Sequence, residues 1–243
     1  WQAGKVPEPG PWENITRRAP AAHTTIAYLL YDEHNLYIGF EAEQRGTPIV
    51  ATQSTNDVGF GLDDFVGVGI DTGSGGSQTY YFETTPAGVR YQQASENARY
   101  RPRWRAAATR KGGNWSAVMI VPLRVLRTSQ GTQSWHVNFV RGAAAVAEHY
   151  SWAYAGLMQD GGNGWPTFAD EQFWPKVDGI ALGRDTANRP KPRAEVYGLE
   201  SLGNDRNLFQ QADGSFLPQR VRPLGVDVSY PVTPTINFVG TLD

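Results

Sequence analysis

From Thr24 to Ala155 apolar and polar residues alternate with a period of two, and almost no segment carries the 3.6-residue period of an amphipathic helix. TTIAYLLYD (Thr24 to Asp32) and LYIGFEAEQ (Leu36 to Gln44), joined by EHN, read as a hairpin in which Leu36, Ile38 and Phe40 alternate with Tyr37 and Gly39. TPIVATQST is expected to add a short strand. Asp64 to Asp71 and Gln78 to Thr85 follow, separated by Gly73-Ser74-Gly75-Gly76. Pro86-Ala87-Gly88 then turns the chain into Val89 to Gln93. WRAAATRK and NWSAVMIV, joined by Gly112-Gly113, form the next pair, and Pro122 to Arg127 suits one helical turn. WHVNFVRGA (Trp135 to Ala143) and EHYSWAYA (Glu148 to Ala155) close the series. Roughly nine or ten short strands with frequent turn signals predict an all-β sandwich or jelly roll.

The flanks read differently. Trp1 to Pro20 is Pro-rich and aperiodic, an irregular lead-in. FWPKVDGIALGRDTANRPKPR, rich in Pro, Gly and charge, reads as a linker. The pattern divides the chain into a sandwich over 1–175, a linker over 176–193 and a further β segment over 194–243. In that last segment Val226, Val228 and Tyr230 alternate with Asp227 and Ser229. After a PVTP turn, Ile236, Phe238 and Leu242 alternate with Asn237, Val239 and Thr241. Such a hairpin suits an outer-membrane barrel and an ordinary sandwich alike.

Composition narrows the chemistry. With 22 basic against 24 acidic residues, no basic excess exists to neutralise phosphates, so nucleic acid is not the expected partner. Cysteine is absent, which excludes disulfides, thiolate metal sites and cysteine nucleophiles. No apolar run approaches the roughly 20 residues of a membrane helix. The chain opens at Trp1 without Met, basic region or apolar region, as expected of a processed or trimmed chain. The 8 Trp and 11 Tyr suit both aromatic ligand platforms and a bulky core.

LLYDEHNLYIGFEAEQ, DDFVGVGIDTGSGGSQTYYFETTPAGV, GNWSAVMIVPLRVL and WHVNFVRGAAAVAEHYSWA, in this order and spacing, resemble the family 9 carbohydrate-binding module-like (DOMON-type) domain at the front of bacterial outer-membrane β-barrel proteins. GVDVSYPVTPTINFVGTLD resembles the first barrel hairpin that follows it there. The resemblance covers nearly the whole chain. It implies a jelly-roll β-sandwich of the family 9 type on the periplasmic face of the outer membrane, with a barrel beginning where this chain stops. Sugar-binding modules of that family grip a terminal sugar between two tryptophans and commonly carry an acid in the strand matching Asp64 to Asp71. Here Gly67 stands at that acid's place, and no Trp occurs between Trp12 and Trp104. Val118 likewise sits where relatives often have Glu. The fold expectation survives these departures, and the clamp is weakened.

Sugar recognition calls for flat aromatic faces and well-placed planar polar groups. With Val137 and Phe139 in the core, His136 and Asn138 fall on the other face of their sheet; with Phe82 in the core, so do Tyr81 and Glu83. Trp104 and Trp152 are expected to flank that patch, the alternative being that they pack as Trp115 and Trp135 do. The ligand set is therefore Tyr81, Glu83, Trp104, His136, Asn138 and Trp152. Asp57, Asp63, Asp64 and Asp71 offer hard oxygens for Ca²⁺, which some family 9 modules bind, though the spacing is not that of an EF-hand. His23, His34, His136 and His149 lack close metal spacing. Haem, held by certain DOMON domains, would have Met119 and Met158 as ligands, with Met119 expected in the core.

Asp71 and Glu83 are the pair to consider for glycoside hydrolysis. No GxSxG elbow and no phosphate loop is present. The expected function is non-catalytic capture or docking of a glycan beside a barrel in the same chain. A docking module without sugar binding and a glycoside hydrolase are the alternatives.

Overall fold

The computed structural model describes residues 12–17, 19–58, 61–73, 78–95, 97–128, 131–153, 171, 174–182, 193–198, 201–204, 218–221, 224–231 and 237–242. Met158, the tip of the Gly73–Gly76 turn, residues 183–192 of the expected linker and most of the PVTP turn lie outside these. The chain divides into two compact units, 1–189 and 190–243.

Unit one is a two-sheet sandwich. Four antiparallel strands, β3 (Thr25–Tyr31), β4 (Asn35–Ala42), β8 (Arg105–Lys111) and β9 (Asn114–Pro122), make one sheet in the order β3-β4-β9-β8. The other holds eight strands. β1 (Glu13–Asn14), β2 (Ala19–Pro20), β5 (Phe65–Asp71), β6 (Thr79–Thr84), β7 (Arg90–Ala94), β10 (Gly131–Ala143) and β11 (Glu148–Ser151) are ordered β2-β1-β11-β10-β5-β6-β7, and β12 (Lys176–Leu182) also pairs with β10. Among the described residues the non-strand elements are two 3₁₀ turns, Leu123–Val125 and Ala144–Val146. The first lies inside the turn expected after Pro122.

Period-two alternation builds the core. Leu36, Ile38, Phe40, Trp115, Ala117, Met119 and Val121 face inward from the smaller sheet, and Val66, Val68, Ile70, Phe82, Trp135, Val137 and Phe139 from the larger one. Phe40 and Phe139 meet edge to face across the sandwich at 5.8 Å. Burying a side chain of this size contributes about 1.5–3 kcal/mol, so the alternation itself drives the two sheets together.

Three expectations need correction. The lead-in read as irregular contributes β1, paired with β11, and β2, paired with β1. TPIVATQST forms no strand; its backbone N–H groups at Val50, Thr52 and Gln53 donate to Asp64 and Asp63 instead of to a ladder. The start of the supposed linker is strand β12, with Val177, Ile180 and Leu182 in the core. Its register shifts where Gly179 (φ +82°) opposes the Gln133–Ser134 step. That extra residue sets Val177 and Ile180 three apart, which hides the alternation.

Unit two contains β13 (Arg193–Gly198), β14 (Ser201–Asn204), β15 (Pro218–Val221), β16 (Leu224–Pro231) and β17 (Asn237–Leu242), with β13-β16-β17 in one sheet and β14-β15 in another. Register puts Ala194, Val196, Leu224, Val226, Val228, Tyr230, Phe238 and Leu242 on one face of the three-stranded sheet. Glu195, Tyr197, Asp227, Ser229 and Thr241 share the other with Val239. On the apolar face Val196, Leu224, Tyr230, Phe238 and Leu242 are 53–74% exposed.

Candidate functional site

The outer face of the eight-stranded sheet is where the sequence places most of the ligand set. Tyr81, Glu83, His136 and Asn138 do lie on that face, opposite Gly69, Gly67, Asp71 and Gly69 on β5. Trp104 and Trp152 do not. Trp104 is a core residue, edge to face with Phe82 at 5.3 Å, and donates its indole N–H to Gln92 Oε1 at 2.7 Å. Trp152 packs on Phe139 at 5.2 Å. Both sit just outside a strand, where alternation does not dictate direction, and burial of the large ring decides it.

The face is filled rather than open. Three glycines on β5 and β10 would leave hollows, and each hollow is occupied: Gly67 by Glu83, Gly69 by the Trp174 ring, and Gly142 by Phe65. Trp174 in turn meets the Tyr81 ring edge-on at 5.7 Å, and the Tyr81 hydroxyl donates to Glu171 Oε1 at 3.3 Å. Asn138 is fully committed. Its amide nitrogen donates to Ser151 Oγ (3.0 Å) and the Ala153 carbonyl (3.1 Å), while its Oδ1 accepts the Ala153 N–H (3.0 Å). His136 Nδ1 lies 3.9 Å from Asp71 Oδ2.

Glu83 is 5% exposed and lines a small cavity of about 20 Å³ with Asp63, Phe65, Arg90 and Tyr91. That space holds roughly one water. Burial drives its carboxyl well above the usual range, and no donor among the described residues is hydrogen-bonded to it. Asp71 and Glu83 do not form a hydrolytic pair. Asp71 faces Thr79, and Glu83 lies four residues further along β6, so roughly 13 Å of strand separates them. Glycosidase carboxylates stand about 5–10 Å apart.

The four aspartates serve as loop anchors and do not converge. Asp57 accepts from Gln92 Nε2 and pairs with Arg101 (3.3 Å). Asp63 accepts from Thr52 N, Thr52 Oγ1 and Gln53 N at 2.7–2.8 Å. Burial opposes its ionisation, but these bonds prevail and hold its pKa below the usual value. Asp64 accepts from Gln44 Nε2 (2.6 Å), Val50 N (3.0 Å) and Ala144 N (2.8 Å), and Asp71 from Gly73 N (3.0 Å). Among the described residues no three metal-ligating side chains gather. Met119 is fully buried in the core, as expected.

A second face went unread in the sequence. The outer side of the four-stranded sheet carries a trough of about 490 Å³ lined by Thr24, Ile26, Glu41, Glu43, Thr109, Lys111, Asn114, Trp115 and Ser116. In the next row of the sheet Tyr28, 45% exposed, lays its ring across Gly39 and donates its hydroxyl to Glu41 Oε1, on the lining of the trough, at 3.2 Å. The signal was available: with Phe40 and Ala42 in the core Glu41 must point outward, and so must Ile26, its partner across the ladder.

No protein-family model and no curated protein sequence matches the chain. Solved structures do. A family 9 carbohydrate-binding module from Caldicellulosiruptor kristjanssonii in complex with glucose aligns at TM-score 0.50 and 10% identity, over 74% of this chain and 86% of its own. The same organism's module in complex with cellotriose aligns at 0.49 and 12% identity, over 77% and 88%. A Bacteroides uniformis protein assigned as carbohydrate-binding aligns at 0.49 and 15% identity, over 64% and 78%. The sandwich has the jelly-roll fold of the family 9 carbohydrate-binding modules.

Proposed function

We propose that unit one is a non-catalytic carbohydrate-binding domain on the periplasmic face of the outer membrane, carried by a chain whose second unit enters that membrane. The observation that carries the sugar reading is the family 9 sandwich, shared with a module that holds glucose. The separation of Asp71 from Glu83 supports binding over hydrolysis. The bare apolar face of β13, β16 and β17 supports the membrane assignment, because lipid is the solvent that such a face fits.

Calorimetry of the full chain with glucose, cellotriose, xylotriose, maltotriose and chitotriose at millimolar concentration tests the sugar reading. Heat of binding from at least one is expected; silence from all five overturns it. The filled face around Gly67, Gly69 and Gly142 favours a second reading, a docking module without sugar binding. Silence from the whole panel would leave that reading standing.

A further inference from the structure

We propose that the glycan site is the trough on the outer face of the four-stranded sheet, and that it takes an oligosaccharide laid across the strands. The inference rests on the carbohydrate reading above and moves its site to the opposite side of the sandwich from the ligand set read in the sequence.

Register orders the trough. Ile26, Glu41, Ser116 and Thr109, all on its lining, form one row across β3, β4, β9 and β8, and Tyr28, Gly39, Val118 and Ala107 form the row beside it. Glu43, Asn114 and Lys111 sit beyond the first row. Four strands span three interstrand steps, roughly 14 Å, which is a length for a short sugar chain rather than a single ring. The volume of about 490 Å³ lies in the range of small-ligand sites.

The chemistry suits neutral polyols. A sugar ring has an apolar side, and Tyr28 offers an aromatic surface braced from below by Gly39. The 43% exposed Ile26 extends that apolar wall. Hydroxyls need donors and acceptors held in place. Glu41 is oriented by the Tyr28 hydroxyl, and Asn114 is held because its Oδ1 accepts the Gln44 N–H at 3.1 Å, leaving its amino group to donate. The side chains of Ser116, Thr109 and Lys111 make no hydrogen bond to other described residues. Among the described residues the eight-stranded face offers no such set: its hollows are filled and Asn138 is saturated.

The test uses the full chain and the tightest binder among the five sugars named above. Tyr28→Ala and Glu41→Gln are expected to weaken binding at least tenfold, and Tyr28→Phe to retain most of it through the ring. Glu83→Gln and Tyr81→Phe should stay within twofold of the unmodified chain. All five variants are checked for an unaltered urea midpoint or, for Glu83→Gln, an altered one with affinity retained. Binding that survives Tyr28→Ala and Glu41→Gln overturns the trough while leaving the carbohydrate reading intact. Loss of binding in Glu83→Gln or Tyr81→Phe alone returns the site to the eight-stranded face. Silence of the unmodified chain toward every sugar overturns both.

Discussion

Glu83 occupies the space that a side chain at Gly67 would need: the two face each other in register on β6 and β5, and the Glu83 methylenes rest where a Cβ at Gly67 would project. A carboxylate therefore does stand over this strand, but it arrives from the neighbouring strand and is buried. Gly67→Ala would force that side chain and the Phe82 carbonyl to give way. The expected loss is about 1–3 kcal/mol of stability, the usual range for overpacking. Urea denaturation checks it, and adding Glu83→Ala to Gly67→Ala should recover most of the loss. A double variant as unstable as the single one would place the strain elsewhere.

The same carboxyl makes stability depend on pH. Burial raises the folded pKa of Glu83 above its unfolded value. Its contribution is fully present below the unfolded value, about 4.3, and is lost as pH rises toward the folded one, because the native state then holds a proton that the unfolded chain has released. Within that window each pH unit costs about 1.4 kcal/mol. Glu83→Gln removes the titration. Melting temperatures measured from pH 4 to 9 should converge near pH 4 and diverge above it, the variant being the more stable. Parallel curves would refute the assignment.

The sequence exposes this fold where strands are regular and conceals it where a single residue interrupts them. Leu36, Ile38 and Phe40 announce β4, and the parity of Val137 and Phe139 places His136 and Asn138 correctly on the outer face. Gly179 breaks the period of β12, so a core strand reads as linker. Whether a face is open depends on what lies over it. Trp174 reaches Gly69 from far down the chain, and no local pattern reports that contact. The aspartates look like cation ligands until the backbone donors of residues 50–53 are seen beside them.

Arg141 ties the two sheets together from inside. Fully buried on β10, it donates through Nη1 to Thr25 Oγ1 (2.8 Å) and the Thr24 carbonyl (3.2 Å), and through Nη2 to the Glu43 carbonyl (2.6 Å) and Gln44 Oε1 (3.2 Å). Its guanidinium also lies 5.7 Å from the Tyr150 ring centroid. Burial lowers its pKa to about 10, which leaves it charged at neutral pH. Arg141→Met takes this donor from the Glu43 carbonyl, whereas the Thr24 carbonyl still accepts the Glu43 N–H at 3.0 Å, and is expected to cost about 1–3 kcal/mol in urea denaturation. Arg141→Lys recovers little, since an ammonium cannot serve both branches of the fork. A loss below 1 kcal/mol in the Met variant would show that water replaces the guanidinium.

The exposed face of unit two makes the membrane assignment testable without sugar. Leu224, Tyr230, Phe238 and Leu242 present apolar side chains to solvent, whereas Asp227 on the opposite face accepts a hydrogen bond from Thr241 Oγ1 at 2.8 Å. On the membrane reading the first face would meet hydrocarbon and the other water or protein. The full chain mixed with phosphatidylethanolamine–phosphatidylglycerol vesicles should float with them on a density gradient. Charges on the lipid face of a membrane strand cost up to about 2–4 kcal/mol at mid-bilayer for Arg or Lys. Phe238→Lys with Leu242→Lys should therefore reduce the bound fraction at least tenfold, while Thr241→Lys on the polar face leaves it nearly unchanged. Equal loss from both faces would indicate a charge effect at the vesicle surface. Flotation unaffected by the paired lysines would mean that the apolar face has another occupant.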